Sequence, residues 1–298
     1  MTKKFDLGDY LKKEEVEETI YKPLQYVNMP KVFQDAIGLP GIPLGYLSMG
    51  YGLSDSGKTE IVLHMAKEAA AQDILPILVI GENKMEKSRL LEKGLVPGEN
   101  CIIEEGISTL EDFYDFVSMK VEDIKTKRLK MNCMVILDSI ASLPSKESFA
   151  IEKDGKITKK YGPQKNAAVI GYYNPIIAKR VASTREMDSD YSLGVFLVNQ
   201  AYKQPPEFPG APTILVPNGG EKIWFTLGLT FEVKEGKRFK TTVDNRDFEI
   251  GLITKLKVKK NHLNGIYTSG EVVFAGNEMF ENDDKLIKEY KDKFKESK

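Results

Sequence analysis

The sequence predicts an α/β protein with a mostly parallel central sheet, extended by antiparallel strands and preceded by a small N-terminal helical arm. Three observations carry this expectation. Gly52-Leu53-Ser54-Asp55-Ser56-Gly57-Lys58-Thr59 satisfies the phosphate-loop signature G-x-x-x-x-G-K-[ST] between a strand-like run, Leu44 to Tyr51, and a helical pattern containing Ile61, Val62, Leu63, Met65 and Ala66. Two continuous apolar runs, Ile74 to Ile80 and Cys133 to Leu137, suit strands buried on both faces of a parallel sheet. Helical patterns alternate with these runs, as doubly wound sheets require, and ligands of such sheets sit at the strand C-termini.

In chain order, residues 1 to 30 are polar and charged, with Leu11, Val16, Ile20 and Tyr21 at helical spacing. They predict an arm from Asp9 to Tyr21, then an extended link through Pro23 and Pro30. A subunit-docking element and a frayed end are both open readings of the arm. Pro40-Gly41-Ile42-Pro43-Leu44-Gly45 is turn chemistry that launches the strand into the phosphate loop. After Ile80 come Gly81-Glu82-Asn83 and a polar helix to about Lys93. A short strand at Cys101 to Ile103 and a helix from Leu110 to Lys125 follow. The run from Cys133 then ends on Asp138.

Residues 145–165 hold six lysines against three acids and predict a mobile basic loop. The next helix, about Ala167 to Met187, carries Lys179, Arg180 and Arg185. The strand Leu193 to Val198 ends in Asn199-Gln200. Ala201 to Pro217, with five prolines, reads as a second long loop closing on Asn218-Gly219-Gly220. Ile223 to Val233, Phe248 to Val258 and Ile266 to Phe274 read as added strands. The tail from Glu281 reads as a solvated or frayed mixed-charge helix. The resulting division is an arm at 1–30, a core at 31–275 and a charged tail at 276–298.

Composition narrows the function classes. With 298 residues the chain can bury one substantial core, and its net charge of −1 provides no global basic field. A nucleic-acid partner would have to be held by local loops. Two cysteines and two histidines leave no set for a structural zinc; Cys101 and Cys133 are expected to be reduced and buried, in a cytosolic protein. No apolar run reaches membrane-spanning length, and Met1 to Asp6 lacks a signal-peptide apolar region.

The phosphate loop dictates its own chemistry. Consecutive backbone N–H groups of 52–60 would wrap a phosphate, helped by the positive end of the helix that begins near Glu60. Lys58 supplies a point charge for the outer phosphates, and Thr59 offers a hydroxyl to Mg²⁺. Asp138, ending a buried strand downstream of such a loop, is placed to hold the same metal. Glu82 ends the strand next in sequence to the loop's strand. It is open between a general base for an attacking water and an ordinary strand end. Gln200 is open between a reporter of the terminal phosphate and a buried amide.

Taken together and in order, these residues resemble the core of the RecA recombinase family. The matching pieces are Gly52 to Thr59, Gly81-Glu82-Asn83, Val135 to Leu143, Phe196 to Gln200, Gly219-Gly220, and Lys257-Val258-Lys259-Lys260-Asn261, spanning about residues 31 to 275. The phosphate loop is shared by many families; the ordered set is specific. The resemblance implies a RecA-like ATPase core that uses ATP and Mg²⁺, with Glu82 activating water and Gln200 coupling the terminal phosphate to the second DNA-binding loop. It implies that 145–165, with Lys156, Lys159 and Lys160, is the first DNA-binding loop, followed by Lys179 and Arg180. It makes 201–218 the second, with Tyr202 and Phe208 as aromatic candidates and Gly219 and Gly220 at its close. Wedging between bases and packing on the protein's own surface are both open for the two aromatics. Lys260 would reach the ATP of a neighbouring protomer, and Phe225 lies near a subunit-joining aromatic of the family.

The chain also departs from the family. His262 stands where bacterial members carry a second lysine, and Arg89 replaces the aromatic that stacks on adenine, which a guanidinium can still do. The first loop is longer than in bacterial members. A separate C-terminal domain is expected to be missing, an outline that resembles phage-encoded recombinases. The expected function is a DNA-dependent ATPase that forms helical homo-oligomeric filaments on single-stranded DNA and pairs it with duplex DNA for strand exchange. An ATP-switched scaffold with little turnover and a ring-shaped motor are the alternatives.

Overall fold

Strand β3 (Leu47–Gly52) is buried at every position and is hydrogen-bonded in parallel on both sides. Such burial explains its continuous apolar character and places Gly52 at the sheet's C-terminal edge. The computed structural model describes residues 22–81, 87–148, 151–153, 156–158, 163–186, 188–205, 208, 210, 213–220 and 222–298.

The elements run β1 (Tyr26–Asn28), α1 (Lys31–Ile37), β2 (Gly41–Pro43), β3, α2 (Lys58–Ala71), β4 (Leu75–Ile80), α3 (Lys87–Glu92), β5 (Ile102–Glu104), α4 (Leu110–Lys125) and β6 (Cys133–Asp138). Then come β7 (Ile151–Lys153), β8 (Lys156–Thr158), α5 (Pro163–Ser183), β9 (Leu193–Gln204), β10 (Ile214–Pro217), α6 (Lys222–Phe225), β11 (Leu229–Val243), β12 (Arg246–Asn261), β13 (Ser269–Ala275), β14 (Glu278–Phe280) and α7 (Asp284–Glu296). The main sheet has the order β14-β13-β12-β11-β3-β9-β6-β4-β5, with β10 paired to β9. Pairing from β11 to β5 is parallel; β12, β13 and β14 extend it antiparallel. The fold is thus α/β with a mixed sheet, in general agreement with the expected core.

The sheet separates two apolar layers. On one face Phe33 of α1 and Ile61 and Met65 of α2 pack on Phe196 and Phe231. The Phe33 and Phe231 rings meet edge-on with centroids 5.9 Å apart. Each such side chain contributes about 1.5–3 kcal/mol through burial. On the other face α4, α5 and α6 cover Met49, Tyr51, Val135 and Leu197. α4 matches the expected span because every signal agrees. Thr109 caps it by accepting from the Asp112 amide, Glu111 and Asp112 sit in the first turn, Lys125 in the last, and Phe113, Val117, Val121 and Ile124 share the buried face. Cys101 and Cys133 are buried free thiols, as expected.

Five expectations need correction. The helix after the basic loop spans Pro163–Ser183 and not Ala167 to Met187; proline suits a first turn, and the Thr184 hydroxyl turns back to the Val181 carbonyl at its end. The loop 201–218 is in part a hairpin, because Ala201–Gln204 continue β9 and pair with Ile214–Pro217. Pro205 follows the last residue of β9 and Pro217 ends β10, positions where proline is tolerated beside a ladder. In the loop 145–165, β7 and β8 form a short antiparallel pair. The stretch read as a strand from Ile223 opens instead with α6, since Ile223 is buried under α5 before the chain enters β11. The tail helix α7 is docked: Ile287, Tyr290 and Phe294 pack on Phe239, Ile250 and Val273. Its charges occupy the opposite face, which conceals the apolar spacing. The arm expected at Asp9 to Tyr21 lies outside the described residues. Among the described residues no helix is long and apolar enough to cross a membrane.

Candidate phosphate-binding site

Three strand ends meet at one edge of the sheet. Gly52 of β3 is in register with Gln200 of β9, and Asp138 of β6 with Ile80 of β4. Strand order therefore sets Gln200 between the loop after β3 and the carboxylate of Asp138. These elements line a cleft of about 970 Å³ that includes Ser54, Asp55, Lys58, Thr59, Asp138 and Gln200.

Residues 53–57 turn the chain from β3 into α2, with Gly57 at φ 99° immediately before the helix. That backbone favours glycine, and the space is also closed. A Cβ on Gly57 would stand 2.6 Å from Thr254 Oγ1. Strand β12 thus packs on the loop directly, and the Thr254 hydroxyl donates to the Ser56 carbonyl at 3.0 Å. Lys58 Nζ donates to the carbonyls of Gly52 at 3.1 Å and Leu53 at 2.5 Å, with Ser56 Oγ at 3.4 Å. Those carbonyls hold the ammonium over the loop. Thr59 Oγ1 donates to Asp138 Oδ2 at 3.1 Å. A hydroxyl and a single carboxylate beside a phosphate loop fit Mg²⁺, which is commonly held by one or two carboxylates, substrate phosphates and water. Among the described residues no group of three or more His, Cys, Asp or Glu forms a protein-only metal centre.

Glu60, in the first turn of α2, organises a cluster that the sequence did not announce. Its carboxylate pairs with Arg89 at 2.5 Å and with Lys93 at 3.2 Å. Lys93 also lies 3.1 Å from His64 Nε2 and donates to the Gly276 carbonyl. Burial, and then the neighbouring ammonium groups of Lys93 and Lys67, lower the His64 pKa to about 3, so the ring is neutral and accepts from Lys93. Burial also pulls Lys93 below the usual lysine value, opposed by Glu60. Arg89 therefore lines the cleft as an ion-paired group, with Asn277 and Gly276 beyond it.

The remaining sequence-derived residues spread over the molecule. Glu82, Lys159 and Lys160 lie outside the described residues, as does the side chain of Lys156. Lys179 and Arg180 are exposed on α5. Tyr202 on β9 and Phe208 are exposed, as is Phe225 on α6. Gly219 and Gly220, both at positive φ, follow β10. Lys260 stands at the end of β12 away from the cleft-lining residues 250–252, and its ammonium donates to the Trp224 carbonyl. Burial holds it below the ordinary lysine value. His262 is exposed, and its amide donates to Gly228 O at 2.9 Å.

A lysine-rich sheet face was missed. Lys203, Lys234, Lys257 and Lys259 line a second cleft of about 510 Å³ beside the β9–β10 hairpin. They surround the buried Glu232, whose carboxylate is 2.9 Å from Lys259 and 3.9 Å from Lys234. Alternate lysines at 255, 257 and 259 are a period-2 signal that could have revealed it.

No family model matches the chain. It is similar to Protein RecA of Ureaplasma parvum serovar 3, 23% identical over 262 residues that cover 87% of this chain and 70% of the relative. Protein RecA of Streptococcus uberis is 23% identical over 256 residues, 85% of this chain and 61% of the relative. Protein RecA of Mycoplasma pneumoniae is 22% identical over 232 residues, 76% and 60% respectively. At these identities the matches support a distant relationship to the RecA superfamily.

Proposed function

From that distant relationship we propose that this chain is a DNA-dependent ATPase that assembles on single-stranded DNA as a helical filament and promotes homologous pairing and strand exchange. The observation that carries the reading is the contact between Thr59 and Asp138 at the mouth of a phosphate loop, with Gln200 in register beside Gly52. In this reading residues 52–60 bind the phosphates through backbone N–H groups, and Lys58 balances their charge. Thr59 and Asp138 would hold Mg²⁺, which would supply positive charge to offset that of the phosphates. Glu82 orients and deprotonates the attacking water, and Gln200 relays the state of the terminal phosphate to the hairpin that starts at Ala201.

DNA binding is assigned to local basic surface, since the total charge is near zero. The first loop with Lys156, Lys159 and Lys160, the exposed Lys179 and Arg180, and the aromatics Tyr202 and Phe208 supply phosphate contact and base stacking. The lysine face at Lys203, Lys234 and Lys257 adds a second polyanion-binding surface. Lys260 and His262 would meet the nucleotide of a neighbouring protomer, and Phe225 would join the two. Electron micrographs with single-stranded DNA, ATP and Mg²⁺, run beside a phosphate-release assay, test the proposal. Helical filaments with DNA-stimulated release are expected. Rings would favour a motor, and filaments without release a scaffold.

A further inference from the structure

The cleft contains an arginine that neither the phosphate-loop signature nor the family motifs assign. Arg238 lies on β11, in register with Leu252 of β12, and lines the same cleft as Lys58, Thr59 and Gln200. The hairpin that carries it is anchored to the loop itself by the bond from Thr254 to Ser56 and by the packing of Leu252 and Thr254 against Gly57. The reach of Arg238 over the loop is therefore set by packing, and not by a free tip.

Its charge is only partly balanced. Arg238 Nη1 is 3.2 Å from Glu249 Oε2, but the other oxygen of that carboxylate holds Lys240, also at 3.2 Å. Two cations thus share one carboxylate. The next anion is Asp55 of the phosphate loop, whose Oδ1 is 4.0 Å from Arg238 Nη2. The Asp55 side chain is 83% exposed and that of Arg238 51%, so this long pair is worth little on its own. Arg89 and Lys93 are paired with Glu60, and the loop carbonyls hold the Lys58 ammonium over the phosphate loop.

We propose that Arg238 is a phosphate-contacting residue contributed by the same subunit, which leaves Asp55 and takes an oxygen of the nucleotide's β- or γ-phosphate. The inference rests on the phosphate-loop reading above and deepens it. A guanidinium offers paired donors to phosphate, whereas the Asp55 carboxylate opposes the incoming anion. Removing one group should therefore weaken binding, and removing the other should strengthen it.

Calorimetric titration with Mg-ATP and with AMP tests this. Arg238→Ala should lower ATP affinity about tenfold, the scale of one charge-assisted hydrogen bond, and change AMP affinity less than about twofold. Arg238→Lys should recover part of the loss, and Asp55→Asn should raise ATP affinity several-fold, an outcome that a folding defect cannot imitate. Wild-type ATP affinity in Arg238→Ala, an equal loss for AMP, or no gain in Asp55→Asn would each overturn the inference. Lys58→Ala separates the two levels. If it binds ATP as the wild type does, the phosphate-loop reading fails. If it loses binding while Arg238→Ala does not, only the assignment of Arg238 fails.

Discussion

Thr59 Oγ1 donates a hydrogen bond to Asp138 Oδ2 at 3.1 Å, joining the start of α2 to the end of β6 across 79 positions of sequence. Asp138→Asn keeps an acceptor at this place and removes the negative charge. Nucleotide affinity without Mg²⁺ should stay within about twofold of wild type, while the gain conferred by Mg²⁺ disappears and hydrolysis falls on the order of 10²-fold. Titrations with and without the metal measure it, and a preserved Mg²⁺ gain would take Asp138 out of the site.

Glu82 follows β4 by two residues, and β4 pairs with β6 up to Ile80 and Asp138. Glu82→Gln should retain ATP affinity and slow hydrolysis roughly 10²-fold or more, the scale of a lost general base. Hydrolysis at the wild-type rate would make Glu82 an ordinary strand end.

The proposed function offers DNA two basic surfaces. Replacing Lys203, Lys234 and Lys257 with Gln, or Lys156, Lys159 and Lys160 in a second variant, should weaken single-strand binding. Each set should also reduce the slope of log affinity against log salt by about 2, since each phosphate that a lysine neutralises on a single strand adds about 0.7 to that slope. A variant whose slope matches the wild type identifies a set that does not touch phosphate.

The neutral His64 makes stability depend on pH. Its pKa is about 3 in the folded protein against 6.5 in an unfolded chain, so between those values the unfolded state binds the extra proton. The contribution is fully present above about pH 6.5 and is lost as pH falls toward 3. Between pH 7 and pH 5 it should cost about 2 kcal/mol. His64→Gln keeps an acceptor for Lys93 without titrating. Denaturant unfolding at the two pH values should show a smaller loss in the variant by about that amount. Equal losses would mean that His64 gains a proton in the fold as readily as in the unfolded chain.

Gln200 is in register with Gly52, and the strand continues past it into the hairpin paired with Ile214–Pro217. Asn218 N donates to Gln200 O at 2.9 Å, so the base of the hairpin is tied to this residue. Gln200→Ala should bind ATP but lose most of the ATP-enhanced DNA affinity and most DNA stimulation of hydrolysis. For affinities the coupling is reciprocal, so ATP binding should lose its DNA dependence by the same factor. DNA titrations with and without a non-hydrolysable ATP analogue read both; a wild-type affinity ratio would leave the half-buried Gln200 without a coupling role.

Local sequence was enough wherever the signals were short-range and agreed. The loop from Gly52 to Thr59, the spans of β4, β6 and α4, and the acid at position 138 follow from apolar runs, a capping threonine and a motif whose geometry is contained in eight residues. Sequence determined less where pairing overrode composition. The proline-bearing stretch after Gln200 joins a hairpin because Leu215 and Val216 find a partner in β9, and α7 docks because Phe239 and Ile250 offer it an apolar seat. Neither partner is near in the chain, so no local pattern reports it. The same reason hid the electrostatics. Glu60, Arg89 with Lys93, and Gly276 come from three separate places, and Arg238 reaches the phosphate loop only because β12 packs against Gly57. Residue types can be read one at a time, but charge pairing and desolvation are properties of what stands beside each residue, and only tertiary structure decides that.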